Sequence, residues 1–177
     1  MTKRSQQRWF VTGASSGFGK EIVRAVVAQG GQVFATARNP ADLADLVQHG
    51  EGRVFAHALD VTKPEAIKDA VKAAHAAMGG IDVLVNNAGY GMIDSIEESD
   101  EAALRVMFEV NFFGLANLTR AVLPGMRGQR RGWVINISSI GGRTSVPGGG
   151  YYSATKYAVE ALSDALRREA SHLGIGV

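Results

Sequence analysis

Cysteine is absent from the 177 residues, which removes disulfides, thiol catalysis and any thiolate metal site. Histidine is sparse. His49, His57, His75 and His172 include no pair at helical ligand spacing, so no metal site is assigned. An excess of one charge is missing too: 19 Lys and Arg stand against 17 Asp and Glu, a net +2. Although the sequence pI is about 9.0, nothing is left over to line a phosphate-binding stripe, and nucleic acid is not an expected partner. The densest basic run, Arg127 to Arg131, lies beside Gly128 and Gly132 and reads as a solvated turn before a strand. No apolar run approaches the roughly 20 residues of a membrane span. The N-terminal MTKRSQQR lacks the apolar region of a signal peptide. No membrane partner is expected, and a cytoplasmic location is the default.

Linkers, repeats and low-complexity tracts are also missing, so residues 1–177 are expected to form one domain. Short β-branched runs alternate with longer periodic segments throughout, the pattern of parallel strands joined by crossover helices. Strands are predicted at Arg8 to Thr12, Gln32 to Ala37, Val54 to Leu59, Ile81 to Asn86 and Trp133 to Ser138. Most are apolar on both faces, as a doubly covered sheet requires. Helices are predicted over Gly17 to Gln29, from a Thr62/Glu65 capping box to Met78, over about Asp100 to Met126, and over about Gly150 to Leu173. The fold class is therefore α/β, a doubly wound parallel sheet of the Rossmann type. Right-handed crossovers give the strand order 3-2-1-4-5, with a ligand crevice at the carboxyl ends beside the switch between strands 1 and 4.

Between the first strand and first helix lies Thr12-Gly13-Ala14-Ser15-Ser16-Gly17-Phe18-Gly19. Gly13 permits the tight turn, Gly17 close approach of a pyrophosphate, and Gly19 helix-on-sheet contact, while Ser15 and Ser16 add hydroxyls. An ordinary glycine-rich turn is the bland alternative. The same stretch spells Gly13-x-Ser15-x-Gly17, a hydrolase nucleophile elbow, but no histidine stands on a later loop to serve it. The second strand ends Ala37-Arg38. An arginine there suits a 2′-phosphate, which favours NADP over NAD, unless it is a plain surface arginine.

Tyr152 and Lys156 are four apart near the start of the last long helix and share one face. An ammonium beside a phenol favours phenolate, which suits a tyrosine to general acid–base work near neutrality. Many helices carry such a pair for packing alone. Ser153-x-x-Lys156 matches a short lactamase-like pattern but lacks its companion motifs.

Taken in order, TGASSGFG, Asn86-Asn87-Ala88-Gly89, Asn111 in VNFFG, Ser138-Ser139 and Tyr152-x-x-x-Lys156 resemble the classical short-chain dehydrogenase/reductase family over essentially the whole chain. The resemblance implies that Gly13, Ser15, Ser16, Gly17, Phe18 and Gly19 hold the cofactor, with Asp60 and Val61 at the adenine and Asn87, Ala88 and Gly89 along its edge. It implies that Tyr152 is the proton donor in carbonyl reduction, that Lys156 assists it and holds ribose hydroxyls, and that Ser139 polarises the carbonyl. Asn111 then supports a water relay. Ser139 is preferred to Ser138 because it lies thirteen residues before Tyr152. The implied substrate is a small carbonyl compound or alcohol, and the implied assembly a homodimer or homotetramer through the two long helices, which Leu104, Met107, Phe108, Leu115 and Leu118 permit, although core packing explains those residues equally well.

After the last helix the sequence reads HLGIGV and stops. On the family pattern this is truncation after the fifth strand and its helix, which leaves WVINIS as an apolar edge and omits the part that shapes the substrate pocket. Two functions follow as expectations. One is an NADP-dependent oxidoreductase; the other is a non-catalytic nucleotide-binding or assembly module. The stretch GRTSVPGGGY before Tyr152 is small and apolar-tolerant, which favours an uncharged ketone or secondary alcohol.

Overall fold

The computed structural model describes residues 7–177. Residues 1–6, which hold most of the segment set against a signal peptide, lie outside the described residues. Strands β1 (Arg8–Val11), β2 (Gln32–Ala37), β3 (Val54–Ala58), β4 (Val83–Asn86), β5 (Gly132–Asn136) and β6 (Ile175–Gly176) form one sheet in the order β3-β2-β1-β4-β5-β6. All pairings are parallel. Two cores flank it because successive strand residues point to opposite faces. Phe10, Phe34, Leu84 and Val134 face α3 (Pro64–Met78), α5 (Leu115–Gln129) and α6 (Gly150–Ala170). Val11, Val33, Ala35 and Val85 face α1 (Gly17–Ala28) and the short α2 (Ala44–Gln48). The helices α1 and α2 stop short of β5 on that face, so Trp133 is 57% exposed.

Three expectations are corrected. The sheet does not stop at β5: β6 pairs with its start, Gly132 opposite Ile175 and Trp133 opposite Gly176. A two-residue strand has no periodicity to read, and its evidence is tertiary. The Thr62/Glu65 capping box does not form, because Pro64 occupies the first turn and moves the cap to Lys63. The helix expected over Asp100 to Met126 is α4 (Glu101–Phe108), then π-helical turns at Glu109–Gly114, then α5. Together these make a helical stretch, Glu101–Gln129, long and apolar enough by composition to cross a membrane, more than the sequence reading allowed. Its apolar stripe faces inward: Met107, Leu115, Leu118, Val122 and Met126 are buried, the last three in the core against the sheet. Three of the residues offered for self-association are thereby internal, and Val106 and Phe113 are what this stretch exposes.

At the amino ends of the strands, Arg8 donates from Nε and Nη2 to the two carboxylate oxygens of Asp82, at 2.8 and 2.7 Å. Burial pushes the Asp82 carboxyl up, but the hydrogen bonds and charge of Arg8 outweigh it and hold it below the ordinary carboxylate value. Removing the carboxylate leaves the Arg8 guanidinium, 16% exposed, with its bonds to Gly79 and Gln129 but no counter-charge from Asp82, so Asp82→Asn is expected to cost about 2 kcal/mol at neutral pH. A depressed carboxylate stabilises above its unfolded value, about 3.9, and that stability is lost as pH falls through the folded one. Denaturation of both proteins across pH should therefore show the gap constant near neutrality and narrowing in acid. An undiminished gap in acid would contradict this.

Candidate active site

A cleft of about 870 Å³ lies at the carboxyl ends of the strands, lined by the glycine loop, Arg38, Asp60, Asn87 to Gly91, Ser139, Tyr152 and Lys156. The loop is shaped by glycine at three places for different reasons. Gly13 and Gly17 take φ of +63° and +53°, which L side chains rarely adopt, and nothing stands within 4 Å of where a Gly17 side chain would be. Gly19 is instead a contact: a methyl there would collide with the Gly13 carbonyl and lie 2.6 Å from Asn87 Nδ2. Ser16 caps α1 without a side-chain bond to it, so the first-turn amides and this hydroxyl face the cleft together. Gly19→Ala is expected to lower both the melting temperature and cofactor affinity, the latter at least about tenfold, since overpacking here costs about 1–3 kcal/mol. A thermal melt and a cofactor titration check it; unchanged values in both would contradict the contact.

Thr12, which the sequence reading passed over, ties the loop to β4. Its hydroxyl accepts from the Asn87 and Ala88 amides at 3.0 and 2.9 Å. Asn87 returns the link, donating from Nδ2 to the carbonyls of Thr12 (2.9 Å) and Gly13 (3.0 Å). A threonine closing a strand just before a glycine turn was the available signal.

At the β3 end of the cleft, Asp60 accepts from the Thr62 amide and hydroxyl at 2.9 and 2.8 Å. Burial raises its carboxyl, but these bonds, with the charges of Lys63 and Arg38, bring it below the ordinary value. Arg38 itself is exposed just past β2, beside this carboxylate.

At the other end, the Tyr152 ring lies between two glycines. A methyl on Gly91 would be 3.3 Å from its Cδ2, and one on Gly141 would be 3.4 Å from its Cε1 and 3.5 Å from Ser139 Oγ. Ser139 and Tyr152 are therefore side by side, and Ser139 Oγ accepts from the Gly141 amide at 3.1 Å. Ser138 also lines the cleft, but its buried hydroxyl lies toward Gly142 and has no hydrogen-bond partner among the described residues. Lys156 is buried, donates from Nζ to the Ile137 carbonyl at 2.8 Å, and lies 5.8 Å from the Tyr152 ring centre. Burial pushes its ammonium below the ordinary lysine value.

Asn111 sits in the π-helical turns and is 1% exposed. Its Oδ1 accepts from the Tyr90 amide (3.0 Å), while Nδ2 donates to the Tyr90 carbonyl (2.7 Å) and to Thr155 Oγ1 (3.2 Å). Thr155 in turn donates to the Tyr152 carbonyl at 2.7 Å. The side chain thus fastens the turn of α6 that carries Tyr152 to the loop after β4. A second network, also missed, runs beneath: Asn86 donates to Thr119 and Asn136, and Asn136 to Ser163. No histidine lines the cleft, so Ser15 has no imidazole base beside it, and Ser153 is buried behind Gly141 rather than in the cleft wall.

The profile of the short chain dehydrogenases matches residues 7–177. The chain belongs to the short-chain dehydrogenase family. Its curated relatives include an oxidoreductase, BOA17, of Botryotinia fuckeliana, 41% identical over 96% of this chain and 62% of that protein. Another is a 3-ketodihydrosphingosine reductase of Bacteroides thetaiotaomicron, 43% identical over 90% of this chain and 56% of that protein. A short-chain dehydrogenase from Streptomyces avermitilis superposes with a TM-score of 0.95 at 48% identity, over 98% of this chain and 64% of that one. A metagenomic short-chain oxidoreductase solved with NADP gives 0.91 at 32% identity, over 96% and 78%. The chain spans about three-fifths of the length of these two curated relatives. Within that family it shares the parallel Rossmann-type sheet of the superposed relatives.

Proposed function

We propose that this chain carries the cofactor site and catalytic residues of an NADP-dependent oxidoreductase that interconverts an uncharged ketone and its secondary alcohol. One observation carries the reading: Ser139, Tyr152 and Lys156 line the same cleft as the glycine loop. The cleft fits a dinucleotide, since Gly17 leaves open space beside the α1 amides where a diphosphate belongs. In that reading the loop from Gly13 to Gly19 holds the diphosphate, Arg38 a 2′-phosphate, Asp60 and Val61 the adenine, and Asn87 to Gly89 the cofactor's edge. Lys156 and Tyr152 hold the nicotinamide ribose. The bound cofactor supplies or accepts the hydride at the carbinol carbon.

The chain's own residues handle the proton and the charge. Tyr152 donates its phenolic proton to the carbonyl oxygen during reduction, and Ser139 donates a hydrogen bond to that oxygen as negative charge grows on it. The desolvated Lys156 ammonium acts on the phenol through a poorly screened field. Asn111 is a positioning residue. A homodimer or homotetramer through α4–α5 and α6 is part of the same reading, with Val106, Phe113 and Tyr157 as its exposed apolar side chains.

The name of the Bacteroides relative, a keto-compound reductase, supports the reaction class, and the NADP complex of the metagenomic relative supports the cofactor. The test is nicotinamide absorbance with the intact protein, NADPH and a panel of uncharged ketones. Turnover is expected. NADPH binding with no turnover across the panel would favour a nucleotide-binding or assembly module instead.

A further inference from the structure

Beyond Tyr152 the mouth of the cleft is bordered by two segments that pack on each other. The Asp94 amide donates to the Gly148 carbonyl at 2.9 Å, and Tyr151 donates from its hydroxyl to the Ile96 carbonyl at 3.2 Å. A methyl on Gly148 would be 3.0 Å from Ile93, and one on Gly149 would be 3.2 Å from Val146. Ile140 follows Ser139 directly. On these two segments Ile93 is 91% exposed, Ile140 77%, Val146 66% and Ile96 63%. Single exposed aliphatics are ordinary, but four on two segments that pack on each other, next in sequence to Gly91, Ser139 and Tyr152, offer apolar area that gains by covering. The charges nearby are equally one-sided. Residues 90–101 carry Asp94, Glu97, Glu98, Asp100 and Glu101 and no basic residue. Arg143 is paired with Glu160 at 2.9 Å, and Lys156 is committed to the Ile137 carbonyl.

We infer that the substrate is an uncharged ketone, or the matching secondary alcohol, bearing an aliphatic chain that lies on Ile93, Ile96, Ile140 and Val146. This rests on the oxidoreductase reading and specifies its substrate class. With the carbonyl oxygen at Tyr152 and Ser139, one substituent of the carbonyl carbon leaves the cleft across these side chains. An anionic tail meets carboxylates there and no free cation.

The test is kcat/KM of the intact protein with NADPH for straight-chain 2-ketones of increasing length, together with a long ketone ending in a carboxylate. Complete burial of a methylene is worth about fourfold, so a rise of about two- to fourfold per methylene is expected until the surface is spanned. The carboxylate is expected at least about tenfold below its uncharged counterpart. Ile93→Asn and Val146→Asn, with folding checked by NADPH titration, are expected to flatten the slope. A flat series in the unmodified protein, as when another protein segment or a second copy covers the patch, overturns the inference and leaves the oxidoreductase reading standing. A slope unaltered in both variants overturns the assigned surface. Failure to turn over any ketone with NADPH or NADH overturns both.

Discussion

Tyr152→Phe is expected to lower kcat for ketone reduction by about 10³-fold, within the range general acid–base catalysis contributes, with NADPH affinity changed by less than about fivefold. A phenyl ring fits the slot between Gly91 and Gly141 as the phenol does, because both glycines meet ring carbons rather than the hydroxyl. The variant therefore removes the proton donor and one hydrogen bond to the ribose, the latter within the change of about fivefold allowed for affinity. Ser139→Ala removes a hydrogen bond and no proton, so a smaller loss of about 10- to 100-fold is expected. Steady-state kinetics with saturating NADPH separate the two, since both losses fall on kcat. A Tyr152→Phe enzyme within tenfold of the unmodified rate would remove Tyr152 from the proton transfer.

Arg38→Asp is expected to invert the preference between NADPH and NADH, shifting the ratio of their affinities by about 10²- to 10³-fold. The arginine supplies charge-assisted hydrogen bonds to a 2′-phosphate, and its replacement sets a carboxylate against that phosphate. NADH, with a free 2′-hydroxyl, loses nothing electrostatic and gains an acceptor. The exposure of Arg38 makes the effect dependent on salt, so titrations of both nucleotides belong at one low ionic strength. An unchanged ratio would mean that Arg38 is a surface arginine and that NADP is selected elsewhere or not at all.

The sheet was legible because buried parallel strands are near-continuous apolar runs, and VFATA or VLVN cannot be mistaken for loops. What escaped has identifiable causes. The turns around Asn111 are π-helical, and an apolar stripe at helical spacing reads alike through one such widening, so α4 and α5 looked like one helix. Strand β6 is two residues long and exists by pairing with Gly132 and Trp133, which no local pattern announces. The segment Pro40–Gln48 forms a 3₁₀ turn and a single short helix, too brief for periodicity to declare itself. Asn86 is buried at the end of β4, where the strand is expected to end, but its links to Thr119 and Asn136 form a tertiary network that strand-end asparagines do not advertise. The cleft residues were legible in type and order, since each stands at a strand's carboxyl end or a helix's start. Spacing to Tyr152 is enough to choose Ser139 over Ser138, whereas the fastening of Tyr90 to α6 by Asn111 needed the backbone in place.

The structure of the protein crystallised with NADP tests the central claim most directly. The expected result is diphosphate oxygens within about 3 Å of the amides that open α1, the 2′-phosphate on Arg38, and the nicotinamide ribose against Tyr152 and Lys156. A nucleotide bound elsewhere, or one whose nicotinamide turns away from Tyr152, would contradict the account.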